Sequence, residues 1–306
     1  MSLFPLVYHD RYDLNLGDHV FAAQKYRLLR ERLIREGFAS EHDFVAPEPA
    51  TEEDMRLAHD PGWIRRLRFG TLSYMEILKL EIPYSRRTVE AFFYATGGTI
   101  LASRLAMERR VGFNVGGGFH HAFAGHGEGF CAVNDIAVAV RRLRHDGLVE
   151  RAMVVDCDVH HGNGTAAIFG GDPSVCTLSI HQRDNYPKQK PSSTLDIHLE
   201  DGVGDEAYLQ ALADGLAPAL ESFRPQLLIY VAGADPYRMD QLGGLRLSLE
   251  GLLQRDLLVI RSALRAGAGV AVVLAGGYAF EVEDTVTIHA NTAHAAQEAL
   301  LTAQSP

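Results

Sequence analysis

Five short apolar runs rich in β-branched residues recur along this chain: Val111–Val115, Ala152–Val155, Val175–Ile180, Leu227–Val231 and Val270–Leu274. None alternates polar with apolar, as a strand with one wet face would. Continuous runs of this length read as strands buried on both faces, the hallmark of a parallel sheet covered by helices. The segments that could supply those helices are amphipathic: Val20–Arg35, Thr88–Met107, Asp135–His145, Glu206–Ser222, Leu249–Ala266 and Glu283–Leu301. The expected class is therefore α/β, a central, mostly parallel sheet with helices on both faces. The chain has 306 residues and shows no repeat, linker or low-complexity stretch, so one domain over 1–306 is expected.

Each run gives way to a cluster of glycine and chemically active residues. The first leads into Gly116-Gly117-Gly118-Phe119-His120-His121. The second leads into Asp156-Cys157-Asp158-Val159-His160-His161-Gly162-Asn163-Gly164. The third ends at Ser179-Ile180-His181, the fourth leads into Gly233-Ala234-Asp235, and the fifth into Gly276-Gly277-Tyr278. Sites in open α/β sheets form at the carboxyl ends of strands. Five such clusters at five strand ends are expected to converge on one crevice.

Bulk properties exclude some classes of function. The formal net charge is −10, which argues against general nucleic-acid binding, because that needs basic surface to neutralise phosphates. It suits a cationic partner. Three cysteines, Cys131, Cys157 and Cys176, form no C-x-x-C pair and no even framework, and point to a reducing compartment. No apolar run approaches the roughly 20 residues of a membrane span, and Met1–Val7 is too short for a secretory leader. A soluble, intracellular, cytoplasmic protein is expected; nothing in the sequence sets its oligomeric state.

Asp156, Asp158 and His160 are spaced two apart, and in extended chain every second side chain shares a side. Asp158 and His160 can then face one metal ion, with Asp235 as a third ligand from another strand end. Two carboxylates and an imidazole leave a position open, as catalytic zinc requires; the oxygen-rich set also suits iron(II). Hydrolysis of an amide needs a base for water and an acid for the leaving amine. The pair His120 and His121 can serve near neutral pH. Tyr278 can donate its phenolic proton to the oxyanion formed on the attacked carbonyl.

These motifs together resemble the histone deacetylase family: Gly117-Gly118-Phe119-His120-His121-Ala122, Gly129-Phe130-Cys131-Ala132-Val133-Asn134-Asp135, the Asp156–Gly164 stretch, Gly233-Ala234-Asp235 and Gly276-Gly277-Tyr278. The resemblance implies an arginase/deacetylase-like fold and zinc on Asp158, His160 and Asp235. It implies His121 as general base and acid, backed by Asn163, with His120 as an electrostatic partner oriented by Asp156. It implies an acyl-lysine channel with Gly129 and Phe130 on one wall, Tyr186 on the other, and Gly276 and Gly277 beside Tyr278. A structural potassium ion is implied near Asp156, Asp158, His160 and Ser179.

Asn163 stands where class I members carry aspartate, and an amide raises imidazole basicity less than a carboxylate does. With Val7-Tyr8-His9 and Lys25-Tyr26 it makes the chain similar to class IV enzymes and their bacterial relatives, a class associated with long fatty acyl groups. Lys188-Gln189-Lys190 departs from the Gly-Asp that often comes after Tyr-Pro in related sequences, so the channel rim is expected to differ. The implied substrate is an acyl-lysine protein or peptide. The alternative is an acetylpolyamine or another small acylated amine. An arginase-like manganese pair would need carboxylates where Gly162 and Tyr237 stand. A binding module without chemistry would be expected to lack one of the ligands, histidines or the tyrosine; all are present.

Overall fold

The computed structural model describes residues 2–304. Its strands are β1 (Leu6–Val7), β2 (Phe44–Val45), β3 (Val111–Asn114), β4 (Ala152–Asp156), β5 (Val175–Gln182), β6 (Leu195–Leu199), β7 (Leu227–Val231) and β8 (Gly269–Val273). Its helices are α1 (Lys25–Arg35), α2 (Glu52–Arg56), α3 (Pro61–Phe69), α4 (Tyr74–Leu80), α5 (Arg86–Arg109), α6 (Asp135–His145), α7 (Asn163–Phe169), α8 (Asp205–Phe223), α9 (Leu249–Arg265) and α10 (Val282–Gln304). The eight strands form one sheet in the order β2-β1-β3-β8-β7-β4-β5-β6. Every pairing is parallel, so the expected α/β class holds and the sheet is parallel throughout. No helix among the described residues is long and apolar enough to cross a membrane.

The five apolar runs are β3, β4, β5, β7 and β8, and every residue of these strands is buried. Helices sheathe the sheet because parallel neighbours need crossovers. From β3 the chain passes through α6 to β4 and through α7 to β5, then returns through α8 to β7 and α9 to β8. The outward helices α6 and α7 pack together with α5; the returning helices α8 and α9 pack with α10 and α1. Right-handed crossovers in opposite directions place these two sets on opposite faces. Neighbours whose chains depart in opposite directions therefore occur twice, at β3 beside β8 and at β4 beside β7. A crevice opens at the carboxyl end of each such pair, and here the two are adjacent.

Several elements depart from the sequence expectation. The first helix begins at Lys25 rather than Val20, because His19 Nδ1 accepts from the Phe21 N–H and closes a turn there. The edge strands β1 and β2 are two residues each, and β6 is half-exposed at the far edge. Short α2, α3 and α4 fill the stretch after β2. Each starts on a local signal: Thr51 caps α2, Pro61 opens α3 and Ser73 caps α4.

Candidate active site

β4 ends at Asp156, and the loop beyond it carries Asp158 and His160; Asp235 stands just past the adjacent β7. His160 Nδ1 lies 2.9 Å from Asp158 Oδ1 and 3.3 Å from Asp235 Oδ2. One donor atom from each residue lies within 4.8 Å of the other two. Asp235 is fully buried, yet its Oδ2 has no hydrogen-bond partner among the described residues. Burial and the charge of Asp158 push the Asp235 carboxyl up to about 7. Burial also opposes charge on Asp158, but His120 and His160 outweigh it and hold that carboxyl well below its usual range. A Cβ at Gly276 would sit 2.0 Å from Asp235 Oδ2 and 2.5 Å from Asp158 Oδ2. Only glycine leaves this cradle open, and its N–H donates to Asp158 Oδ2 at 2.8 Å. A buried carboxylate oxygen with no partner beside a second carboxylate and an imidazole fits a divalent cation.

The loop after β3 carries the histidine pair, their rings 4.1 Å apart. His120 Nδ1 is 2.7 Å from Asp156 Oδ2. Burial disfavours the imidazolium, but the carboxylates of Asp156 and Asp158 outweigh it and raise His120 to about 9. His121 Nδ1 is 2.7 Å from Asn163 Oδ1. Burial and the neighbouring His120 and His160 push His121 well below the ordinary histidine value. The two adjacent imidazoles thus differ in environment: the aspartate behind the first favours its charged form, and burial beside two other imidazoles favours the neutral form of the second.

Glu128 decides how that amide points. Its Oε1 accepts from Asn163 Nδ2 at 2.6 Å and from the Tyr186 hydroxyl at 3.2 Å. Its Oε2 lies 3.2 Å from Lys79 Nζ and 3.1 Å from His126 Nε2. Burial opposes its charge, but His126, Asn163 and Lys79 prevail and hold the carboxyl down to about 2. An ionised carboxylate only accepts, so the Asn163 NH₂ faces Glu128 and its oxygen faces His121. His121 Nδ1 then carries the proton, which leaves Nε2 as the free base.

A cavity of about 390 Å³ opens over this floor, lined by Phe130, Tyr186, His121, His160, Leu242 and Tyr278, with Glu81 at its side. Tyr186 meets His121 edge-on with ring centroids 4.9 Å apart. Gly129 has φ +52, and a Cβ there would lie 2.8 Å from both His121 and Tyr186. Phe130 comes next at φ +67, an unusual conformation for a bulky residue, which aims its ring toward Tyr278 at 5.9 Å. Asp240 accepts from the Tyr278 N–H at 2.7 Å and so fixes the backbone of that loop. Beyond His121 and Tyr278 lies a second, inner space of about 10 Å³, bounded by Phe21, Phe119, Cys131 and Ala275.

The structure thus brings Asp156, Asp158, His160, Asp235, His120, His121, Asn163, Tyr278, Phe130 and Tyr186 together, with Gly129, Gly276 and Gly277 between them. The end of β5 does not join this crevice. Ser179 pairs in register with Asp156, but His181 turns toward His161 and Asp196. Sequence reading missed Glu128, Asp240 and Arg255, and it quoted Lys25 only as part of the resemblance, with no role. Lys25 is buried and donates to the Ala275 carbonyl at 2.8 Å. Arg255, fully buried beside Asp256, donates to the Gly233 carbonyl at 2.6 Å and the Cys157 carbonyl at 3.3 Å, tying the loops after β7 and β4 together. Both sit in ordinary amphipathic helices, where a lone basic residue does not show which carbonyl it will meet.

Known proteins share both the sequence pattern and the fold. The family model described as the histone deacetylase domain matches residues 19–293. An uncharacterised protein of Picosynechococcus sp. is 40% identical over 296 residues, covering 96% of this chain and 99% of that one. Histone deacetylase 2 of Arabidopsis thaliana is 30% identical over 296 residues, covering 91% and 75%. The histone deacetylase-like amidohydrolase of Pseudomonas aeruginosa is 30% identical over 275 residues, covering 85% and 72%. The crystal structure of the HDA15 HD domain shares the fold, with a TM-score of 0.83 at 22% identity over 99% of this chain and 93% of that chain.

Proposed function

This chain belongs to the histone deacetylase family, and from that premise we propose that it hydrolyses the amide between an acyl group and the ε-amine of lysine in a protein or peptide. The observation that carries the reading is the opposed pair of imidazoles. One is bonded to the Asp156 carboxylate and one to the Asn163 amide, and both border the Asp158–His160–Asp235 cluster.

Zinc or iron(II) held by these three residues would supply Lewis acidity toward the acyl carbonyl and toward water. His121, with its Nδ1–H on Asn163, offers Nε2 to take a proton from water as its oxygen bonds to the carbonyl carbon. It then returns that proton to the nitrogen as the C–N bond breaks, so the products are a carboxylic acid and a free amine. His120, held protonated, favours negative charge on the attacked carbonyl. The Tyr278 hydroxyl donates to the same oxygen. Phe130 and Tyr186 flank the alkyl stem of the substrate. Ser179 beside Asp156 supports a potassium ion there, with the backbone carbonyls of Asp158 and His160. Asn163 in place of a carboxylate supports a class IV-like assignment.

The inner space has room for about one water molecule, which favours acetyl over long fatty acyl groups. Turnover of a lysine peptide series from acetyl to myristoyl should fall with chain length and vanish with chelator. A rise toward myristoyl would overturn the acetyl preference, and chelator-insensitive turnover would overturn the metal. His121→Ala should cost more than His120→Ala; the reverse order would exchange their roles. A second reading, a small acylated polyamine, draws support from Glu81 beside the cavity, a carboxylate suited to a cationic tail. Faster turnover of acetylpolyamine than of acetyl-lysine peptide would select it.

A further inference from the structure

The end of β5 that turns away from the active site meets a second cluster of ligand-type side chains. We propose that His161, His181 and Asp196 form a further binding site for a transition-metal dication of the zinc type, at the seam between β5 and the edge strand β6. The proposal does not rest on the hydrolase reading.

Strand register makes the cluster. β5 and β6 run parallel with Ser179 opposite Asp196 and His181 opposite His198. Residues two apart share a face, so these four side chains lie on one side of the sheet. His161 arrives from the loop after β4, the strand on the other side of β5. Its Nε2 lies 3.1 Å from Asp196 Oδ1, and its ring centroid is 4.7 Å from that of His181, at 80°. One donor atom from each of the three residues lies within 4.8 Å of the others.

Two further observations point to a ligand. Both histidines are fully buried, and among the described residues neither His181 Nε2 nor His161 Nδ1, the ring nitrogen that does not meet Asp196, has a hydrogen-bond partner. Leaving two buried ring nitrogens unpaired is costly, and the Asp158–His160–Asp235 cluster shows the same signature at Asp235 Oδ2. Outer partners also hold the His181 ring and the carboxylate, as in metal sites. Ser179 Oγ is 3.0 Å from His181 Nδ1, which leaves Nε2 as a lone pair when Nδ1 donates. The Ser193 N–H donates to Asp196 Oδ2 at 2.9 Å. Two neutral imidazoles and one carboxylate select zinc, cobalt or nickel over magnesium or calcium. Such an ion would tie the loop after β4 to an edge strand that pairs only with β5. The connection leading into β6 carries Tyr186, so the ion would also steady one wall of the cavity.

The test is metal stoichiometry on the full chain. Protein dialysed against buffered zinc and analysed by mass spectrometry should hold two equivalents. Asp235→Asn should hold one, and Asp196→Asn should hold one. The double variant should hold none. Asp196→Asn preserves shape, and its circular dichroism checks that it folds; His181→Gln provides an independent variant with the same expected loss. Zinc should raise the melting temperature of Asp235→Asn but not that of the double variant. If Asp235→Asn holds no zinc, or if its zinc persists after Asp196→Asn and His181→Gln, the second site does not exist. Loss of the equivalent assigned to Asp235 is read separately, so failure of one site leaves the other measurable.

Discussion

Asp158, His160, Asp235 and the two histidines were legible because their chemistry needs particular residue types at fixed spacing after a strand. Glu128, Asp240 and Arg255 were not, because each acts on a backbone or an amide brought near only by folding. The two groups differ in what their loss should do. In the proposed mechanism Tyr278 donates to the attacked carbonyl oxygen, so Tyr278→Phe should lower kcat about 10²–10³-fold with metal content unchanged. A rate within twofold of the parent would remove the hydroxyl from the mechanism. Glu128→Gln touches no reacting atom. It removes a charge-assisted hydrogen bond worth about 1.5–3 kcal/mol and allows the Asn163 amide to turn over. Turnover should fall about tenfold or more, with zinc content near that of the parent and the variant still folded at assay temperature, although the lost hydrogen bond lowers its melting temperature. A variant that loses zinc in proportion to activity would show Glu128 to be merely structural.

At the level of elements, the five central strands were readable because strands covered on both faces have no polar side to interrupt the run. β6 was not, since Leu195–Leu199 is half-exposed and carries Asp196 and His198 on one face. β1 and β2 are too short to show any period. The boundary of α6, by contrast, is written in the sequence as Asn134 before an apolar stretch. Asn134 Oδ1 accepts from the Ala137 N–H at 2.9 Å and caps the helix. Its Nδ2 donates to the Ala122 carbonyl at 3.2 Å and Thr165 Oγ1 at 3.0 Å. One side chain thus fastens α6, α7 and the loop that carries His120 and His121. Asn134→Ala should cost about 2–3 kcal/mol, a cap plus buried partners left unpaired. It should lower the urea midpoint and also reduce turnover. A midpoint equal to the parent's would refute that account.

For the molecule as a whole, His59 gives stability a defined dependence on pH. Its Nε2 accepts from the Asn134 N–H at 2.9 Å and its Nδ1 lies 3.0 Å from the Phe123 carbonyl. Both ring nitrogens are therefore committed in the neutral form. Burial lowers its pKa from 6.5 to about 4. The unfolded chain binds the proton more readily, so this contribution is complete above pH 6.5 and is lost as pH falls toward 4. It amounts to about 3 kcal/mol at most. Chemical denaturation at intervals from pH 7.5 to 4 should show the decline, and His59→Gln should flatten it; an unchanged slope in the variant would assign the effect elsewhere.

The place of β8 in the sheet has a consequence for synthesis. It lies between β3 and β7, so it separates and aligns the strand before the histidine pair and the strand before Asp235. A ribosome that has delivered residues as far as Ala268 has already made every imidazole and carboxylate of the site. Direct pairing of β4 with β7 can already align Asp158 and His160 with Asp235, but no strand yet joins β3 and its histidine pair to them, and the loop with Tyr278 has still to emerge. The crevice is therefore completed late, when the strand that is last in chain order enters the middle of a sheet whose other members were made before it.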